Sequence, residues 1–149
     1  MRRTSLVVSD LHLGGPEGFQ TCMPAGVTRM VAFFRWARGL QGGDRGVDLV
    51  LAGEAVDFLA EPDDESQPRE RWTWTPFATD EALALSKLER ILDRTADVWR
   101  ALSEFVAASG EFAVLLANHG VELSLPRVRR AVETWTERSA SEVEELSLV

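Results

Sequence analysis

Short apolar runs alternate along this chain with stretches in which apolar residues recur every three or four positions. Residues 6–8 (LVV) form the first run and read as a buried-type strand. Residues 14–23 are a glycine-containing loop, and Pro24 suits the first turn of a helix. Val27, Met30, Val31 and Phe34 then recur at helical spacing, and Gly39 closes the helix. After the loop QGGDRG comes a second strand, VDLVLAG at 47–53, ending at a glycine. EPDDESQPRE is an acidic loop with two prolines, and RWTWTPF alternates, placing Trp72 and Trp74 on one face. Asp80 is a good N-cap for one long helix. Its seam is Leu85, Leu88, Leu92, Thr95, Trp99, Leu102 and Val106, and Ser109 with Gly110 ends it. FAVLLA at 112–117 is a third strand, and Pro126 opens a last helix with Val128, Val132 and Trp135 in the apolar positions.

The order strand, helix, strand, helix, strand, helix predicts an α/β fold with parallel strands and right-handed crossovers. The predicted division is one domain over residues 1–138 and an acidic tail, 139–149, that frays. In such sheets, sites form beyond the carboxyl ends of the strands. Three polar pairs stand there: Asp10 and His12, Glu54 and Asp57, Asn118 and His119. In VVSDLHLGG, Asp10 and His12 lie two apart, which in an extended segment puts both side chains on one face. Both are ligands for a divalent metal, and the glycines at 14 and 15 let the backbone turn just beyond them.

Composition narrows the function classes. The formal net charge of -8 over 149 residues argues against a general nucleic-acid binder and against a polybasic membrane-surface protein. Cys22 is the single cysteine, so no internal disulfide is possible, and it is expected simply to be packed. No window approaches the roughly 20 apolar residues of a membrane span. The expectation is a soluble, cytoplasmic protein.

The three clusters, in this order, resemble the calcineurin-like metallophosphoesterases, whose signature runs D-x-H, then G-D-x-x-D, then G-N-H-D or G-N-H-E. Here it reads Asp10-Leu11-His12, then Gly53-Glu54-Ala55-Val56-Asp57, then Ala117-Asn118-His119-Gly120. The resemblance covers residues 6–130. It implies the first half of a helix-flanked β-sandwich with a two-metal site at the strand ends. It implies Asp10, His12, Glu54 and Asn118 as metal ligands, with Glu54 in the bridging position. His119 becomes the catalytic histidine near the leaving oxygen, and Asp57 a supporting hydrogen-bonding residue. It also implies a phosphoester substrate and manganese, iron or zinc as the metal.

Four departures bear on activity. Glu54 replaces the bridging aspartate, Gly120 replaces the acid after His119, Ala117 replaces a turn glycine, and the chain has only two histidines. The ligands that remain favour one metal ion over two, and impaired activity. The alternative is a catalytically inactive, truncated family remnant that acts through binding. The missing half leaves a sheet face expected to be an interaction surface, for self-association or a partner chain, unless the Trp-rich segment or the last helix covers it. Trp72, Trp74 and Phe77 are expected to serve core or lid packing rather than a substrate wall.

Overall fold

The structure, a computed structural model, describes residues 2–108 and 110–146, with side chains described for 3–108 and 110–136. Strands β1 (Arg2–Ser9), β2 (Arg45–Ala52) and β3 (Glu111–Val114) form one parallel sheet in that order, with β2 in the centre. Helix α1 (Pro24–Gly39) links β1 to β2. Helices α2 (Glu81–Arg94) and α3 (Ala96–Ala107) link β2 to β3, and α4 (Pro126–Leu146) follows. The expected α/β class with parallel strands and helical crossovers is therefore present.

Register explains where the core sits. Leu6 pairs with Leu49 and Leu49 with Phe112; Val8 pairs with Leu51 and Leu51 with Val114. All six side chains belong to the apolar core or pack against it. Phe34 of α1, Ile91 of α2, Trp99 and Phe105 of α3 and Val128 of α4 complete the same cluster. The alternate positions face the other way. Val7 is 65% exposed, Ser5, Ser9, Glu111 and Ala113 are exposed, and Val50 is half-buried. On that face Arg3 is bonded to Asp48 and paired with Glu111 across the strands. Among the described residues this face has no covering layer, which is unusual for an all-parallel sheet.

Three elements differ from the sequence-based expectation. The single long helix is two helices, because Thr95 leaves the helical range at φ -113°, ψ 24°. Its hydroxyl donates to the Ile91 carbonyl at 2.6 Å and accepts from Trp99 Nε1 at 2.9 Å, so the side chain competes with the helical backbone pattern. The third strand stops at Val114. Leu115 still donates to Leu51 O at 2.9 Å, but Leu115 and Leu116 are 53% and 55% exposed. Residues 72–79 belong to no strand or helix. Asp80 caps α2 as expected, accepting from Ala82 N and Leu83 N. Helix α4 takes in residues 139–146 of the predicted tail; Ser109 and residues 147–149 lie outside the described residues. No described helix is long and apolar enough to cross a membrane.

The one-sided core makes two substitutions in paired strands differ sharply. Leu49→Ala should cost about 2–5 kcal/mol in a denaturant melt, whereas Val7→Ser, on the open face, should stay within about 0.5 kcal/mol. The Arg3 guanidinium holds the Asp48 carboxyl below its ordinary value. Its contribution to stability is therefore present above about pH 4 and lost as pH falls through the lowered native value. Asp48→Asn should remove that part of the acid limb of a Tm-against-pH profile.

Candidate metal centre

The first candidate pair is built by an unusual backbone rather than by a strand face. β1 ends at Ser9, and Asp10 and His12 both adopt positive φ, 57° and 49°. The extended geometry expected for Asp10-Leu11-His12 is thus corrected. Aspartate and histidine enter the left-handed region more readily than most residues, and neighbouring hydrogen bonds hold the segment there. His12 N donates to Glu54 O at 2.7 Å, Leu13 N to Ala55 O at 3.0 Å, and Asp57 N to Leu13 O at 2.9 Å. The loops after β1 and β2 are laced together by these three bonds. Phe58 N donates to His119 O at 2.9 Å and ties in the loop after β3. Polar residues from three strand ends are thereby brought to one place.

His12 Nε2 lies 2.7 Å from Glu54 Oε2, and His12 Nδ1 lies 3.0 Å from Asp57 Oδ2. His119 Nδ1 lies 3.2 Å from Asp57 Oδ1 and 3.7 Å from Glu54 Oε2. The two imidazoles meet edge to face with centroids 5.2 Å apart. Asp57 is fully buried, and its Oδ1 also accepts from Ala60 N at 3.1 Å. Among the described residues, His12, Glu54 and His119 form a group able to hold one metal ion, with one donor atom each and all three within 4.8 Å of one another. Donors about 2.1 Å from a tetrahedral zinc stand roughly 3.4 Å apart, so small side-chain shifts close the group. His119 Nδ1 supports the fit. It is buried and makes no aligned hydrogen bond, although two carboxylates stand beside it. With its ring N–H directed at Asp57 through Nδ1, His12 would turn Nε2, now 2.7 Å from Glu54 Oε2, to an ion held between the two. A carboxylate behind a ligating histidine fixes its orientation and raises its basicity.

The predicted site residues thus divide. His12, Glu54, Asp57 and His119 are brought together, with Asp57 3.0 Å from His12 Nδ1 and 3.2 Å from His119 Nδ1. His119 joins the donor group instead of standing apart from it. Asp10 is exposed and stands outside the group, with its carboxylate beside Gly53, and Asn118 is exposed on the turn before His119. Gly120 has a packing reason of its own. A Cβ there would lie 3.0 Å from Val56 O, so a larger residue after His119 would push on the Glu54 loop. Gly14 is more constrained still: its Cβ would stand 2.2 Å from Asp57 O.

Two features escape sequence reading. Glu61, part of an apparently solvated acidic loop, is fully buried and bonded by Arg90, Arg94 and Gly15 N. The spacing of Arg90 and Arg94, one helical turn apart, is the only signal of a shared anion. Trp74 is 52% exposed and stands edge to face with His119, centroids 5.1 Å apart. Phe77 is 50% exposed. Neither side chain lies in the core, and the segment carrying them lies outside the regular elements.

If Asp57 orients His12, Asp57→Ala should weaken zinc or manganese binding about 10- to 100-fold in a calorimetric titration. Gly14→Ala, which displaces the Asp57 backbone, should weaken it as well. Compared with known proteins, the chain matches no family model, no curated protein and no solved structure.

Proposed function

We propose that this protein is a metal-dependent phosphoester hydrolase of the calcineurin-like metallophosphoesterase kind, working with one ion. The observation that carries the reading is the convergence of His12, Glu54 and His119 at the carboxyl ends of three parallel strands, with buried Asp57 behind them. In the same proposal the fold is the first half of a helix-flanked sandwich, a reading supported by the uncovered sheet face and by the order of the site clusters along the chain.

His12, Glu54 and His119 would hold the ion and leave its remaining positions open. Two imidazoles with a carboxylate suit zinc, manganese or iron. Bound there, a divalent cation supplies charge to polarise a phosphoryl oxygen and to make a water a stronger nucleophile at neutral pH. Asp57 keeps His12 aligned. Glu54 is one methylene longer than the aspartate of the family signature, and misplacement of about 1 Å can cost on the order of a hundredfold in rate. Slow turnover is therefore expected.

The second reading is a non-catalytic metal-holding domain that acts by binding, and the uncovered sheet face favours it. One experiment separates the two. A hundredfold excess of manganese over its Kd should raise the Tm by roughly 5–10 °C, and His12→Ala should abolish the rise. Manganese-dependent cleavage of bis(p-nitrophenyl) phosphate, lost in His12→Ala, supports the hydrolase. A His12-dependent Tm rise with no cleavage of monoester or diester supports the binding domain. No Tm rise with manganese, zinc or iron overturns both.

A further inference from the structure

The loop between the acidic segment and α2 holds two half-exposed aromatic side chains, Trp74 and Phe77, and of these Trp74 stands against the metal-holding group. Trp72 is committed: its ring meets Phe19 edge to face, Arg69 lies over it, and its Nε1 donates to Gln67 O at 3.1 Å. Trp74 makes none of these contacts. Its described ring contact is with His119, a member of the metal-holding group, and half of its surface is open. Its position is nevertheless held firmly. The next residue, Thr75, donates its N–H to Leu59 O at 2.9 Å, and its hydroxyl accepts from Lys87 Nζ at 2.7 Å and lies 3.2 Å from Glu61 O. Lys87 is fully buried and is also paired with Asp63. A half-exposed indole held in place beside the ion site can serve as a stacking wall. It borders a cleft of about 250 Å³ whose charged lining is Asp63, Asp64 and Arg71.

We infer that Trp74 stacks on a planar aromatic group of the ligand, so that the phosphoester bound at His12, Glu54 and His119 carries an aromatic substituent. This rests on the reading of the site as phosphoester-binding and adds its substrate class. Of the charged groups lining the cleft, Asp63 is paired with Lys87, which leaves Asp64 and Arg71 as one charge of each sign.

The test is a calorimetric titration of the manganese-loaded protein with inorganic phosphate, phenyl phosphate and adenosine 5'-monophosphate. Wild type should bind phenyl phosphate at least about fivefold more tightly than inorganic phosphate, since stacking on an aromatic side chain typically brings roughly 5- to 150-fold. Trp74→Ala should erase that gap, so that phenyl phosphate and inorganic phosphate bind alike. Trp74→Phe should keep most of the gap. A nucleotide bound more tightly than phenyl phosphate supports the inference with a nucleobase as the aromatic group; the reverse order supports it with a simple aryl group. No gap in wild type, or a gap that persists in Trp74→Ala, overturns it. Tryptophan-dependent binding of phenyl phosphate without hydrolysis overturns the hydrolase reading alone. Binding of none of the three overturns both.

Discussion

A fully buried carboxylate must find hydrogen-bond donors, because an ion taken from water without partners is too costly to keep. Asp57 meets that requirement with His12 Nδ1 and Ala60 N, and His119 Nδ1 lies 3.2 Å from it. Its own N–H is used by Leu13 O. One side chain thus fastens the loops after β1 and β2 and stands against the histidine of the loop after β3. Gly14 is a glycine because the backbone of Asp57 passes where its Cβ would be. The metal group lies in front of this anchor, and its geometry follows from it.

A second buried network sets the outer wall of the site. Glu61 gathers Arg90 and Arg94 from α2 and Gly15 N from the turn after His12. Lys87, from the same helix, bonds Thr75 and pairs with Asp63. Both the Gly14–Gly15 turn and the Trp74 loop are therefore referenced to α2. Breaking a buried ion pair by removing one partner leaves an uncompensated charge and typically costs about 3–5 kcal/mol. The network thus holds Trp74 beside His119 although that segment lies outside every helix and strand.

The sheet carries a contrast between its two faces. One is filled by large apolar side chains from all four helices. The other shows Val7 and Ala113 next to the Arg3, Asp48 and Glu111 ion cluster. The open face thus presents apolar and charged groups side by side.

Much of the framework was legible in the chain. Apolar runs and three-to-four spacing located the three strands, α1, α4 and the helical stretch that holds α2 and α3, and Asp80 marked a helix start, because these signals are local and repeat with the geometry of the backbone. The motif order also placed His12, Glu54, Asp57 and His119 together, since parallel strands deliver their carboxyl ends to one edge. Other features depended on contacts between distant residues. The break at Thr95 came from its hydroxyl competing for the Ile91 carbonyl and the Trp99 indole. His12 is held at positive φ by its bond to the β2 loop, and Asp10, also at positive φ, stands outside the donor group. Burial of Glu61 required two arginines some thirty residues away, and exposure of Trp74 required a loop pinned by Lys87. The sequence by itself determined the elements and the chemistry at their ends. Which side chains share a site was decided only by the tertiary structure, because burial and hydrogen-bond satisfaction are properties of the assembled chain.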